Sequence, residues 1–428
     1  MKRLVFIFAF LILCAAVQAN ARGIMTMCGA GTGAVAANPM KQKLILSKDA
    51  AISVAATRYF PLTGSSTSAV EGRQQNVMPT SGTLRNLRVA LDGSPDNGAG
   101  TQTYTIKLRK NGADINDVSC VISEAETTCQ SSGSVAVAKG DLMSYSLAFG
   151  ATPTSRSMSA MIEFQGNSAN QVVLLGAYQE ALRTDANSRY GSLHGLWVSS
   201  SEHVARAIIP VAGTITSFYG IISAAPGAGN TRVWKIYKNG AAEASSVLTF
   251  GESDTVVEVT GLSIAVNGTS DVFSVEIGGT TTPAAATGQW SAVFAPTTNG
   301  EFPIMASGTS TAIATGATKY TGQSASVLMP ADDRGTNQNI GNNDYTIKGM
   351  CVALYTAPGA GKSSTFTPQT STGDAANPSA VTISGTATSG CSTGDLTPTA
   401  DEFYGTKIVN TDGAAIIPTI GYRAYIAP

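Results

Sequence analysis

A threefold internal repeat, apolar residues alternating at period two and a pair of Asn-Gly turn signals predict an all-β chain of three tandem antiparallel β-sandwich (jelly-roll) modules after a signal peptide. The repeat is the strongest of the three. Gly82-Thr83-Leu84 through Pro95, Gly213-Thr214-Ile215 through Pro226 and Tyr345-Thr346-Ile347 through Pro358 are one stretch written three times, with Thr and Pro twelve residues apart in each. Thr83, Thr214 and Thr346 stand 131 and 132 residues apart, and so long and regular a period means three homologous domains.

The flanks keep the period. Arg58-Tyr59, Arg189-Tyr190 and Lys319-Tyr320 precede the Thr, and Glu71 and Glu202 each precede it by twelve residues. Downstream, Lys110-Asn111-Gly112 answers Lys238-Asn239-Gly240, and the third copy weakens this to Ser371-Thr372-Gly373. Asp141, Asp271 and Asp401 recur after that, so the third copy is the most diverged but still in frame.

Within a module, Leu84, Leu87, Val89 and Leu91 line one strand, and Tyr104, Ile106 and Leu108 alternate along the next. Asn111-Gly112 and Asn239-Gly240 suit type I′ hairpins, whose two central residues need positive φ. About eight strands in ~130 residues favour a jelly roll over an immunoglobulin-like sandwich. The expected boundaries are 41–166, 167–297 and 298–428, and the joins are short enough that neighbouring modules must nearly touch.

Residues 1–21 read as a secretory signal: Met1-Lys2-Arg3 is basic, Leu4 to Val17 is apolar but short for a membrane span, and Ala19 or Ala21 ends a small-residue cleavage site. Residues 22–40 form a Gly/Ala-rich flexible leader whose Gly29-Ala30-Gly31-Thr32-Gly33 lacks the strand and helix of a dinucleotide site. The mature chain is expected to be secreted or at the cell surface, with no membrane span.

Cys14 leaves with the signal. Cys120 and Cys129 flank a polar turn and are expected to face each other in an antiparallel pair and bond, stabilising by about 2–3 kcal/mol. Cys351 and Cys391 are either a second bond or two buried thiols. Cys28 is left over and available to join two chains.

Chemistry is sparse. A net charge of −1 gives no electrostatic case for nucleic acid. Gly359-Ala360-Gly361-Lys362-Ser363 looks like the end of a phosphate loop, yet Thr356 stands where the first Gly belongs, and the other modules have the same turn without Lys-Ser. His194 and His203 have no counterparts in the other modules and no ligand spacing for zinc. No Ser-His-Asp context is present, and Asp332-Asp333 reads as a solvated loop pair. No catalytic residue, metal or cofactor is therefore expected. The thrice-repeated pairs Arg58-Tyr59, Arg189-Tyr190 and Lys319-Tyr320 offer a ligand patch, or else structural tyrosines beneath a neighbouring aliphatic stem.

The run Thr57-Arg58-Tyr59-Phe60-Pro61-Leu62, Gly82-Thr83-Leu84-Arg85-Asn86-Leu87, Leu108-Arg109-Lys110-Asn111-Gly112 and Gly140-Asp141-Leu142 resembles modules of phage tail-fibre and bacterial surface-fibre proteins. More loosely, it resembles the C-terminal domains of collagen-like spore-surface proteins. The resemblance implies a jelly roll of the tumour-necrosis-factor and C1q type, which usually trimerises; it carries no catalytic residue across. The expected function is a non-enzymatic surface or extracellular structural or adhesive protein that recognises a cell-surface or glycan ligand. The alternative is a phage receptor-binding fibre component, with a secreted hydrolase behind both. Two assemblies follow: a single-chain pseudo-trimer, or a rod of modules that forms homo-oligomers.

Overall fold

In the computed structural model the described residues are 39–47, 51–98, 101–280, 282–308, 311–324, 339–370, 373–375, 380–411 and 414–427. The signal peptide, the leader to residue 38, Cys28, Ser371-Thr372 and Asp332-Asp333 lie outside them. The strands make six antiparallel sheets, two per repeat.

The first repeat supplies β1 (Lys41–Leu46), β2 (Arg58–Phe60), β3 (Asn76–Val77), β4 (Gly82–Leu91), β5 (Thr103–Lys110), β6 (Ala113–Ser123), β7 (Thr128–Val137), β8 (Leu142–Gly150) and β9 (Met158–Gly166). One sheet has the order β1-β9-β4-β7; the other is β2-β8-β5-β6, with β3 also on β8. First strand beside last, and second beside next-to-last, is the jelly-roll winding. The second repeat gives Val172–Tyr178, Gly288–Pro296, Ala212–Ile222 and Val256–Asn267 in the first order, and the third gives Glu301–Ala306, Pro418–Tyr425, Thr346–Leu354 and Ser389–Leu396. The register slips within one residue of the same place in all three copies of β4, after Arg85, Ile215 and Ile347. A β-bulge kept three times belongs to the fold.

The repeated residues hold the turns. Asn111 and Gly112 have φ of 51° and 81°, and Asn239 and Gly240 have 53° and 84°, as the hairpin requires. Each Asn is clasped as well: the Asn111 amide donates to Asp141 (2.8 Å) and accepts from the Leu142 N–H, while Asn239 does the same with Asp271 (2.9 Å) and Val272. Lys110 and Lys238 pair with those aspartates at 2.8 and 3.2 Å. The third repeat carries Thr372 in place of the Asn, and its Asp401 accepts a salt bridge from Arg88 of the first. The three Pro loops are closed by one repeated bond, from the N–H of Thr154, Ala284 and Ala414 to the carbonyl of Pro95, Pro226 and Pro358.

The expected Cys120–Cys129 bond forms, and of the two readings of Cys351 and Cys391 the bonded one holds. Cys351 and Cys391 are directly opposite in one sheet, with Cα atoms 4.1 Å apart. Cys120–Cys129 departs from the expected facing pair. Cys120 lies on β6, in the sheet of β5, and Cys129 on β7, in the sheet of β4, so the bond staples the two sheets at a Cα separation of 5.8 Å. The polar turn between them crosses the sandwich instead of closing a hairpin. Two disulfides fit an oxidising, extracellular environment. No described helix is long and apolar enough to cross a membrane.

Every residue of Val172–Tyr178 is buried, as is nearly all of Met158–Gly166 and Gly288–Pro296. Strands buried on both faces need two covers. One cover is their own sandwich. The other is the neighbouring repeats: Ile45 and Met161 of the first pack into a cluster dominated by the second and third. Polar contacts follow the same cycle. Ser159, Gln289 and Thr419 stand at the same position of the three copies of β9. Ser159 Oγ accepts from the Ile340 N–H of the third repeat (2.9 Å), Gln289 donates to the Gly72 carbonyl of the first (3.0 Å), and Thr419 Oγ1 accepts from the Ile208 N–H of the second (3.3 Å).

Candidate functional site

The three Arg/Lys-Tyr pairs lie at matching positions, on β2, Arg189–Gly191 and Ala317–Gly322. Each belongs to the sheet of a different sandwich. The Arg109 guanidinium sits 5.4 Å from the Tyr59 ring centre, and Tyr190 meets Tyr237 edge-on at 5.7 Å. Arg109 is itself held by Glu71. The repeated glutamates are structural too: Glu71 accepts from Ser144 Oγ (2.8 Å) and Glu202 from Ser274 Oγ (2.9 Å). Lys362 and Ser363 lie inside the strand Gly359–Thr370, with no helix start to hold a phosphate.

The two histidines mark two junctions. His194 is buried where all three repeats meet, beside Ile45 and Ser324, and the space left there is only about 10 Å³. That is room for at most one water. Burial pushes the His194 imidazole down to about 3, so it is neutral.

His203 lies in the short helix Glu202–Ala205 and lines a cleft of about 210 Å³ between the second and third sandwiches. Its ring stacks on Tyr355, with centroids 4.1 Å apart and planes 18° from parallel. Arg206, from the same turn of chain, stands 5.9 Å from the Tyr355 centroid. Glu202 holds Arg206 through Nε at 2.7 Å and through Nη2. Asn239 and Ser270 line the second repeat's side; Thr388 and Ser389 line the third's. Burial, then the Arg206 charge, lowers the His203 pKa, with Glu202 opposing. The ring is therefore neutral at pH 7, and Arg206 is the one charged side chain on the lining. Tyr355 is 53% exposed, an unusual state for a large aromatic ring. The cleft thus combines an aromatic platform, one cation and several hydroxyl and amide groups. It can bind a ring; it has no nucleophile–base pair at hydrogen-bond distance.

Sequence reasoning missed this site because its halves come from different repeats. A signal was present: His203 has no counterpart in the other copies, so the fold does not require it.

No protein-family model matches the chain, and no curated protein matches its sequence. Among solved structures it shows weak likeness to a structure of PNGF-II (8% identity, TM-score 0.19, covering 59% of this chain and 65% of that one). It shows similar likeness to the VP2 subviral particle of infectious bursal disease virus (7%, 0.18, covering 91% and 81%). A T=1 particle derived from that virus gives 7% and 0.18, covering 91% and 79%. The chain spans less than two thirds of the PNGF-II chain.

Proposed function

We propose that the chain is an exported, non-catalytic structural or adhesive protein of the cell surface or extracellular space, built as a single-chain pseudo-trimer. Its modules are of the tumour-necrosis-factor and C1q type found in phage tail fibres and bacterial surface fibres. In such folds three copies meet around an axis. Here the three copies are consecutive segments of one polypeptide. The observation that carries the reading is the cycle of contacts from Ser159, Gln289 and Thr419, each at the same strand position and each reaching the neighbouring repeat. Recognition of a glycan or other surface ligand falls to the loops and clefts around that ring.

Scattering from the purified mature chain tests the architecture. A ring of ~390 residues has a radius of gyration of about 21 Å, whereas three modules end to end give about 30 Å or more. The larger value overturns the pseudo-trimer. Adhesion is tested separately, by retention of the labelled protein on cells and extracellular matrix. A turnover-competent response on glycosidase and esterase substrates would replace the adhesive reading with an enzymatic one.

A further inference from the structure

We infer that the cleft between the second and third sandwiches binds the pyranose ring of an acidic sugar, stacked on Tyr355 with its carboxylate on Arg206. The inference deepens the adhesive reading above and names its ligand class.

The repeat supplies the internal comparison. Glu202 answers Glu71, so His203 answers Gly72, and Tyr355 answers Ser223 of the second repeat and Asp92 of the first. At the first junction, therefore, the same two places carry Gly72 and Ser223. A Cβ at Gly72 would meet open space, and the Gly72 carbonyl accepts from Gln289 of the second repeat, so that junction forms without a ring. The stacked pair at the other junction is an addition to a contact that forms without it.

Its chemistry suits a sugar. An exposed aromatic face takes the C–H face of a pyranose, burying apolar area at little cost in side-chain entropy. A volume of about 210 Å³ lies below the ~300–1,000 Å³ of a drug-sized pocket and fits one ring. Glu202 occupies Nε and Nη2 of Arg206, so Nη1 is the nitrogen left to donate to a ligand. Arginine is the side chain best matched to a carboxylate. Asn239, Ser270 and Ser389 supply partners for ring hydroxyls. His203 is neutral and Glu202 offsets part of the Arg206 charge, so one acid group is the most the cleft can take.

The test titrates the mature chain with glucuronate, N-acetylneuraminate and, as the uncharged control, glucose. The comparison protein is the double variant His203→Gly/Tyr355→Ser, which installs the first junction's own residues. Saturable binding of either acid, tighter than glucose and weakened about tenfold or more in the double variant, supports the inference. Unchanged affinity in a variant with a wild-type melting profile overturns it and moves any glycan site elsewhere. No saturable binding of either acid by the wild-type chain overturns it as well. Retention on cells and matrix then decides the adhesive reading independently.

Discussion

His194 Nε2 lies 2.8 Å from Ser324 Oγ, and that hydroxyl is 2.6 Å from the Ile45 carbonyl. One residue from each repeat thus joins a single chain of hydrogen bonds. The Ser324 proton is spent on Ile45, so its oxygen accepts and His194 carries its proton on Nε2. Thr63, His194 and Ser324 are equivalent by the repeat, and Thr63 likewise donates to Leu175 of the next module at 3.3 Å. Nitrogen-15 spectra should show a neutral Nε2–H tautomer at pH 6. Ser324→Ala should destabilise by about 1–3 kcal/mol, because it strands a buried imidazole donor.

That histidine also sets a pH dependence. Its folded pKa, about 3, lies below the ~6.5 of an unfolded chain. Between those values the unfolded state binds the extra proton, so stability rises with pH through the window and is lost as pH falls below about 6.5. Thermal melts from pH 7.5 to 4.5 should show this decline, and His194→Gln should flatten it. An equally steep decline in the variant would assign the effect to His203 and the carboxylates.

Lys43 and Glu163 give a sharper contrast. They face each other on β1 and β9, 2.9 Å apart and almost wholly buried, and Lys43 also reaches Asp344 of the third repeat. Burial raises the Glu163 pKa, but Lys43 and Arg85 outweigh it and hold the carboxyl below its ordinary value. Its contribution is therefore present above the unfolded carboxylate pKa and lost as pH falls through the folded one. The second repeat has Val173 facing Val293 at the same place. Glu163→Val alone should cost about 1–3 kcal/mol, because buried Lys43 keeps only Asp344 and Arg85 loses its carboxylate, whereas Lys43→Val/Glu163→Val should recover part of that loss. Denaturant midpoints of the three proteins measure both numbers.

Gly213 is fixed by Phe294: a Cβ there would lie 2.6 Å from the ring and 2.3 Å from the Ala295 carbonyl. Gly213→Ala should destabilise by about 1–3 kcal/mol through overpacking, read as a drop in melting temperature.

Breaking Asn239 removes both a clasp and a tolerated positive φ. Asn239→Ala should cost about 1–3 kcal/mol in a urea melt and leave Asp271 held by Lys238 and the Asn267 N–H.

The local features were legible because their partners are near in sequence or recur with the period. Asn111 with Asp141 is one such feature, and the bulged Gly-Thr strand is another. Long-range pairing was less legible. The Cys120–Cys129 turn crosses between sheets, yet its polar residues read the same as a hairpin's. The Gly-Thr motif becomes Tyr345-Thr346 in the third repeat for a reason visible only in register. Where Gly213 and Phe294 share a place in the second repeat, the third has Tyr345 and Ala424, so the ring has moved to the other strand. The His203–Tyr355 stack belongs to the same class, since its members meet only because the second repeat packs against the third.

Joining the three sandwiches end to end has a consequence for dilution. Separate subunits of such a ring fall apart as their concentration drops below the dissociation constant. Tethered ones see one another at an effective concentration set by joins of a few residues, in the millimolar range or above. The contacts of Ser159, Gln289 and Thr419 should then persist at any dilution the environment imposes. The chain can thus keep its assembled form without needing copies of itself nearby.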